Sequence, residues 1–532
     1  MNVNYFFLLN IFISFLSATN YYVATSYGND TNNGTSINTP FKTIAKAASV
    51  MSSGDICYIR QGRYHETVTI NNLDGSSGSA IIFTNYNNER VIMDGTIPIT
   101  STWTQVGSSN IWRTKLSSDI WQLFLDWEEQ VMARWPNAKF SDNTIWDNDN
   151  YWAKGTIDDD ENAYSNGTII DDPYTNSAGT TINLSAAGFD LDETNKQAIA
   201  ILNLGSFRTW SRLVTSHSGN TFNYSTVPNW KTKHHYYFLE GRREFLDQAG
   251  EWWYDTYNNA DSLYYYANNG VDPNRLNFRG KVQSYAFSIT GSEYIQIKNI
   301  EFFGTTVYFS NGDNCVVYGC NFMYPSCSKR MLRTVDTEPE MTKFASGSAG
   351  SAIRNCAFRN TDGTALEMWG GTDTVDNCYF TNIDYSVADN SSIMLTMRMN
   401  GTANVFRKNT VHRTGASATV MVGDAGLVEY NNLYDTGHLQ SDGSMIQFME
   451  DQQDGAICRY NWLHDTEKYG ARFDHSGTAD GTNGTMHHNL AWNCESGGIM
   501  VKGDNHKVYN NTVLNSGSKN DIIVFQVNNG DH

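Results

Sequence analysis

Short phrases that begin with Asn recur through the second half of the chain and restrict its fold more than any other feature. The intervals between them are 22, 34, 22, 32, 22, 30, 28 and 22 residues, which fit a coil of 22 residues with occasional insertions. The Asn residues are Asn299, Asn321, Asn355, Asn377, Asn409, Asn431, Asn461, Asn489 and Asn511. Three positions later come mostly aromatic residues, namely Phe302, Tyr324, Phe358, Phe380, His412, Tyr434, His464, Trp492 and Leu514. A period near 22 with an Asn ladder and a stacked aromatic column predicts an all-β fold, the parallel β-helix.

The composition agrees with a chain of many short strands joined by turns. It contains 43 Gly and only 8 Pro among 532 residues, and Gly and Asn are residues that turns favour. A repeat fold can extend as one unit well beyond the length of an average domain. The formal net charge of −19 argues against nucleic acid and anionic membrane surfaces as partners.

Residues 1–18 are predicted to be a signal peptide. An apolar run from Phe6 to Leu16 is followed by Ser17 and Ala18, and the run is too short to span a membrane. No later segment approaches 18 consecutive apolar residues. We therefore expect a protein without a membrane span that is secreted or located in the periplasm or at the cell surface.

Residues 19–100 resemble the N-terminal cap and first coils of secreted right-handed parallel β-helix proteins. The resemblance lies in a YYV strand, a P-F-x-T-I-x-x-A helix that starts at Pro40, and the phrase G-D-x-x-x-I-x-x-G-x-Y. Such a cap covers the open end of a solenoid, and the resemblance implies a right-handed coil. No capping segment follows the last repeat, so we expect either a cap contributed in another way or a truncated sequence.

The strand rhythm changes between residues 101 and 277, which we interpret as an inserted β-rich, β-sandwich-like module. The main parallel β-helix would then occupy residues 278–532. The phrases A-R-W-P-N and F-L-D-x-x-G-E-W-x-Y-D in the module resemble those of β-helix glycoside hydrolases, a group that includes certain α-L-fucosidases and xylanases. The resemblance implies a secreted hydrolase that cleaves a plant or algal polysaccharide or oligosaccharide. Four aromatic residues of these phrases are expected in the module core: Trp135, Trp252, Trp253 and Tyr254.

Carboxylates cluster between Gly437 and Asp504, although charged residues make up only 17% of the chain. Counting from the repeat Asn and the preceding Gly places Gln447, Asp474 and Lys502 in one column on successive coils. Such coils lie about 4.8 Å apart. The same alignment places one further aspartate, Asp442, directly before the strand of Gln447, and places Asp465 in a turn beside Asp435.

We predict Asp442, Asp465 and Asp474 as catalytic residues, with Asp474 paired to one of the other two. Carboxylates one or two coils apart suit the separations in glycosidases, roughly 5–5.5 Å for retention and 6.5–9.5 Å for inversion. One carboxyl would be the general acid, with a pKa raised by burial and by its neighbour's charge, and the other the nucleophile or base. The surrounding phrases S-D-G, N-W-x-H-D and G-x-R-F-D also resemble the hydrolase group.

Several residues near these aspartates are candidates for substrate binding. They are Gln447, Arg472, His475, Lys502, Trp369 and His464; core packing is an alternative for Trp369 and His464. No cofactor is expected to be required. The oxygen ligands of Glu450, Asp451 and Asp454 would suit Ca²⁺, but their spacing is not that of a calcium loop and favours a solvated loop.

Two other functions stay open. A polysaccharide lyase of the parallel β-helix type would use Lys502, Arg472 or His475 to abstract a proton beside a uronate; the acidic composition argues against it. The second open function is that of a non-catalytic adhesin or carbohydrate-binding solenoid. In each case the expected partner is a saccharide and the expected state is a monomer. Among the cysteines, Cys356 and Cys378 are predicted to stack in the core, whereas Cys315, Cys320 and Cys327 are close enough for a local bridge.

Overall fold

The computed structural model describes residues 18–155, 167–205, 207–227, 236–257, 261–390, 395–475, 481–517 and 521–524. The predicted signal peptide therefore lies, apart from Ala18, outside the described residues. No described helix is long and apolar enough to cross a membrane. The helices are short: α-helices span Ile44–Ala48, Asn148–Tyr151 and Leu184–Ala187, and 3₁₀ turns span Thr144–Trp146, Arg243–Phe245, Pro273–Arg275, Arg330–Leu332 and Glu450–Gln453.

Three long parallel sheets, which we name A, B and C, form a right-handed parallel β-helix, as predicted. Each coil runs from sheet A through sheet B to sheet C. The described strands of sheet A are Asn20–Val23, Ile56–Ile59, Ile81–Asn85, Ile295–Lys298, Val316–Tyr318, Ala352–Arg354, Thr374–Asp376, Val405–Arg407, Leu427–Glu429, Ile457–Arg459, Thr485–His487 and Lys507–Tyr509. Those of sheet B are Gly62–Tyr64, Val91–Asp94, Glu301–Phe303, Asn321–Met323, Ala357–Arg359, Tyr379–Ile383, Thr410–Thr414, Asn432–Thr436, Trp462–Thr466, Leu490–Cys494 and Thr512–Leu514. Those of sheet C are Val68–Asn71, Tyr285–Thr290, Thr306–Ser310, Thr342–Phe344, Leu366–Met368, Leu395–Met399, Ala418–Met421, Ser444–Phe448, Tyr469–Phe473, Gly497–Val501 and Ile522–Val524.

The Asn residues of the repeat occupy three registers rather than the single predicted column. Asn299, Asn355 and Asn377 lie in the turn between sheets A and B with positive φ angles near 55°, which Asn tolerates better than most residues. One position later lies an interior ladder formed by Asn409, Asn431, Asn461, Asn489 and Asn511. The backbone N–H of each of the first four donates to the side-chain oxygen of the next Asn at 2.9–3.1 Å. Asn321 lies one position further on, in sheet B. Asn is favoured at the turn position for its positive φ angle and at the next position for its side-chain hydrogen bonds. In the sequence the two positions therefore look like a single column.

The aromatic column also separates into two stacks. Phe302, Phe322, Phe358 and Phe380 stack inside the coil with ring centroids 4.5–5.0 Å apart. The next position points outward from sheet B, and there His412, Tyr434, His464 and Trp492 stack at 4.0–5.0 Å. A phrase alignment that is off by one residue exchanges the two faces of a strand.

All eight cysteines are free and buried. Cys356 and Cys378 lie in the coil core as predicted, but the local bridge considered for Cys315, Cys320 and Cys327 is not formed. Their thiols instead donate to backbone carbonyls such as Ser292 O and Ile297 O. Of the three, only Cys320 lies at the turn into sheet B, in the position that Cys356 and Cys378 occupy on later coils.

Between Val91–Asp94 and Tyr285–Thr290 the chain leaves the coil and forms mainly antiparallel sheets. These contain Thr96–Pro98, Thr104–Gln105, Ile111–Lys115, Leu123–Leu125, Glu128–Glu129, Val131–Met132, Arg134–Trp135, Ala153–Lys154, Thr168–Ile170, Tyr174–Thr175, Thr181–Ile182, Ile199–Gly205, Arg208–Ser218, Thr221–Tyr224, Tyr236–Glu240, Glu251–Asp255, Ser262–Tyr266 and Phe278–Lys281. Their core includes Trp252, Trp253 and Tyr254, against which Trp135 packs. Arg330 of the coil, fully buried, joins the two parts through Glu240 and Asp362 at 3.0 and 2.8 Å.

Candidate functional site

The Arg472 side chain is the centre of a charged cluster on the outer face of sheet C. Its Nη1 binds Asp442 Oδ1 at 2.8 Å and its Nη2 binds Asp474 Oδ2 at 3.0 Å. Its Nε donates to Gln447 Oε1 at 2.8 Å. Lys502 Nζ reaches the other oxygen of Asp474 at 2.6 Å. One guanidinium therefore holds two of the three predicted catalytic carboxylates beside each other.

The exposure of the two carboxylates differs. The side chain of Asp442 is 38% exposed and that of Asp474 is 12% exposed. Both backbone polar groups of Asp474 are hydrogen-bonded. The N–H of Asp474 donates to Phe448 O, and the carbonyl of Asp474 accepts from the buried Gln453 Nε2 at 2.6 Å. Asp442 Oδ1 also accepts from the N–H of Gly443 at 2.7 Å. Both carboxylates thus have defined positions, one enclosed and one facing solvent.

Gln447 lies two positions away from its predicted place in this cluster. It pairs with Arg472, whereas Asp474 continues the register toward Lys502. The error comes from the glycines used for alignment, since Gly470 is inside its strand but Gly443 precedes its strand at a φ of 124°. A slip of two keeps Gln447 on the same face, so its Nε2 still donates to Asp474 Oδ2 at 3.2 Å.

Asp465 lies elsewhere, at the corner between sheets B and C. Its carboxylate binds His464 Nδ1 at 2.7 Å and Asn493 Nδ2 at 2.8 Å, and these hydrogen bonds lower its pKa. It is in register with Asp435 on the preceding coil, as predicted. His464 belongs to the outer aromatic stack rather than to the core. No contact joins Asp465 to Asp442 or Asp474 among the described residues.

Trp369 is also separate from the cluster. Its coil lies four coil steps from that of Asp474, with three strands of sheet C between them, which is about 19 Å along the axis at 4.8 Å per coil. Its indole donates to Glu367 Oε2 at 2.8 Å and lies beneath Arg398, whose guanidinium carbon is 4.5 Å from a ring centroid. Glu367 and Arg398 were missed in the sequence, although their alternation within strands of sheet C would indicate outward side chains. His475 follows Asp474 directly and is half-buried.

The acidic run considered for Ca²⁺ forms a 3₁₀ turn at Glu450–Gln453. Asp451 is exposed, and Asp454 accepts a hydrogen bond from Asn483 at 3.2 Å. Within the ranges that the structure describes, no three His, Cys, Asp or Glu side chains are placed to hold a metal ion together.

A second feature, which we name the junction pocket, lies between the inserted sheets and the coil. It has a volume of about 520 Å³ and is lined by Glu128–Val131, Lys139–Ser141, Asn143, Trp146, Ala249–Glu251, Tyr324, Asn360, Asn382 and Tyr385. Burial raises the pKa of both Glu129 and Glu251 to about 8. Sequence reasoning missed this site because its walls come from segments far apart in the chain, with no shared phrase to connect them.

A family model and one solved structure agree with this fold. The family model described as "Right handed beta helix region" matches residues 344–513. "Uncharacterized protein YwoF" of Bacillus subtilis (strain 168) is 41% identical over 68 residues, which are 13% of this chain and 14% of that protein. A solved structure described as "Glycoside hydrolase" is 13% identical with a TM-score of 0.62, over 95% of this chain and 96% of that one. XylC in complex with xylose is 12% identical with a TM-score of 0.48, over 95% and 86% of the two chains.

Proposed function

We propose that this protein is a secreted carbohydrate-active enzyme that hydrolyses glycosidic bonds in a polysaccharide or oligosaccharide. The observation that carries the proposal is the pair Asp442 and Asp474, held by one arginine on the outer face of sheet C. A fold does not decide an activity, so the similarity to a structure described as a glycoside hydrolase adds support only through the shared scaffold. Hydrolysis of a glycosidic bond needs two carboxyl groups that flank it.

The surroundings of the two aspartates suggest different roles. Asp474 is enclosed and is held in one orientation by two cations. A carboxylate that attacks the anomeric carbon or activates the attacking water needs such a fixed orientation. We assign it as nucleophile or base. Asp442 faces solvent, from where it can protonate the glycosidic oxygen as the bond to carbon breaks.

The cations of this site favour hydrolysis over elimination. A lyase needs a basic side chain that removes the proton beside a uronate. Lys502 donates to Asp474 at 2.6 Å, and Arg472 donates to three acceptors, so both act as partners of carboxylates. We further propose that Gln447, Lys502 and His475 contact substrate hydroxyls, that no cofactor is required and that the protein acts as a monomer.

The test is incubation of the purified protein with a polysaccharide panel, read both as new reducing ends and as ultraviolet absorbance of unsaturated uronate. Reducing ends without absorbance are expected. Absorbance together with reducing ends would assign a lyase instead. Signal in neither channel, combined with retention of the protein on one of the polysaccharides, would favour a non-catalytic binding protein. The Asp474→Asn variant serves as the blank for contaminating activity.

A further inference from the structure

Asp442 lies on a corner loop between sheets B and C, residues 437–443, that is longer than the same corner on the adjacent coils. Those corners are residues 415–417 on the preceding coil and 467–468 on the following one. Glycines with positive φ angles stand at both ends of the loop, Gly437 at 79° and Gly443 at 124°. Glycine loses more conformational freedom on folding than other residues do, so a defined position of Asp442 requires contacts that hold the loop.

Two buried side chains of the inserted module bind this loop. Asn203 Nδ2 donates to the carbonyl oxygen of Leu439 at 2.7 Å. Thr209 Oγ1 accepts from Gln440 Nε2 at 3.0 Å. Asn203, Thr209 and Gln440 are all at most 2% exposed, and a hydrogen bond in such surroundings is stronger than one in water. The bonds end two residues before Asp442, so they fix the main chain from which its carboxylate extends.

Both side chains belong to one hairpin, which contains the two longest strands of the module. Asn203 pairs with Thr209 across this hairpin, and residues that lie directly opposite share a face of the sheet. Two residues before Asn203, Ile201 packs in the same apolar cluster as Leu439. The face that the hairpin turns to the coil therefore binds the loop through hydrogen bonds and apolar contact together.

The same hairpin also holds a second corner of the coil, which carries none of the proposed catalytic residues. The backbone N–H of Ser211 donates to Asp389 Oδ1 at 2.9 Å, and the Ser211 hydroxyl donates to the other oxygen of this carboxylate. The corner of Asp389 lies two coil steps before that of Asp442. Ser211 thus offers a contact of the same kind, from a neighbouring position of the same strand, that does not involve the loop.

We propose that Asn203 and Thr209 are positioning residues, which hold the 437–443 loop and thereby place Asp442 beside the glycosidic bond. The inference rests on the proposed function for the role of Asp442. Arg472 binds the carboxylate of Asp442 from sheet C at 2.8 Å, whereas the hairpin holds the main chain from the side of the module. A misplacement of about 1 Å can lower a rate about a hundredfold, so a loosened loop lowers kcat even where Asp442 and Arg472 are intact.

The experiment is a double-mutant cycle that combines Asn203→Leu with Asp442→Asn, assayed at high enzyme concentration on the cleaved polysaccharide. Asn203→Leu removes the donor to the loop and should lower kcat about tenfold with KM changed less than about twofold, because the acid acts in the transition state. In the Asp442→Asn background the same change should have no further effect on kcat. A side chain that only stabilised the fold would lower kcat equally in both backgrounds.

Hydrogen exchange of the 437–443 backbone, measured by mass spectrometry, reports on the loop independently of cleavage. Exchange should accelerate in Asn203→Leu and in Thr209→Val, which loses the acceptor for Gln440. Thr209→Ser keeps the hydroxyl and should retain the exchange rate and kcat of the wild type. The matched control is Ser211→Ala, which should lower the urea midpoint and leave both the loop exchange and kcat unchanged. Thr209→Val replaces Asn203→Leu in the cycle if the latter does not fold.

The two readouts separate failure of the inference from failure of the proposed function. Unchanged loop exchange in folded Asn203→Leu and Thr209→Val would overturn the inference, whether or not a polysaccharide is cleaved. An equal loss of kcat in the wild-type and Asp442→Asn backgrounds, or in Ser211→Ala, would also decide against it. Accelerated exchange in a protein whose wild type cleaves no polysaccharide would count against the proposed function and confirm that the hairpin holds the loop.

Discussion

The arginine cluster on sheet C and the junction pocket both contain a pair of carboxyl groups, and they hold these groups in opposite ways. Asp442 and Asp474 are compensated by Arg472 and Lys502 within 3.0 Å. Glu129 and Glu251 have no cation within hydrogen-bonding distance among the described residues, and burial raises their pKa values to about 8. Burial without a neighbouring cation, rather than the residue type, therefore lets Glu129 and Glu251 keep their protons to a higher pH than an exposed glutamate does.

The largest effect is expected from Asp474→Asn, which should lower kcat/KM for the cleaved polysaccharide at least a thousandfold, about 4 kcal/mol. Asn keeps the shape of the side chain but cannot attack carbon or deprotonate water. Asp442→Asn should act similarly. Asp451→Asn, an exposed carboxylate of a neighbouring turn, is the matched control and should retain activity, as should Asp465→Asn. Full activity in both Asp474→Asn and Asp442→Asn would move the site away from sheet C.

Arg472→Met should destabilise the fold by about 1–3 kcal/mol, because the enclosed Asp474 loses one of its two cations and keeps Lys502. It should also lower activity about a hundredfold, since both carboxylates lose their common partner. Urea unfolding and the hydrolysis assay measure the two effects. Arg472→Lys keeps the charge but not the fork that binds two carboxylates, so it should recover stability more than activity. Wild-type activity in a folded Arg472→Met would contradict the positioning role.

The pocket carboxyls should make stability fall as the pH rises. In the unfolded chain Glu129 releases its proton above about 4.5, whereas in the folded chain it keeps the proton up to about 8. Between these values unfolding releases the proton, so the free energy of unfolding falls by at most about 1.4 kcal/mol per pH unit for each such group. Glu129→Gln should reduce this slope and raise the urea midpoint at pH 8. Glu495→Gln, at an exposed site, should change neither, and an unchanged slope in Glu129→Gln would show that this carboxyl is ionised.

The smallest effect, with the opposite sign, is expected at Asp435. Burial raises its pKa, but hydrogen bonds from His438 and Arg413 outweigh burial and lower it to about 2. Its stabilising contribution is present above about pH 4 and is lost as the pH falls toward 2. Asp435→Asn should therefore cost about 1 kcal/mol at pH 7, a value reduced by partial exposure, and almost nothing at pH 2. Urea unfolding at the two pH values measures the difference; an equal loss at both would mean that the charge is not involved.

The sequence by itself determined the architecture, because a coil of 22 residues repeats the same residue types at a fixed interval, and a biased composition alone does not produce such an interval. It also located Asp442, Arg472, Asp474 and Lys502, since stacked coils turn positions that recur in the sequence into neighbours in space. The alignment of repeats failed in two places: it combined the separate Asn columns into one, and it placed Gln447 two residues from its true register. Both errors arise because Asn and Gly occupy several adjacent turn positions for unrelated reasons.

Tertiary structure alone decided the rest. Asp465 looked equivalent to Asp474 in the sequence, yet the corner between sheets B and C directs it to His464 and Asn493. Glu129 and Glu251 form no recognisable phrase, because the pairing of Val131 with Glu251 joins segments about 120 residues apart. A repeat is visible along the chain, whereas a pocket between the insertion and the coil depends on how their surfaces meet in the folded protein. Burial at that junction raises the pKa of the two glutamates.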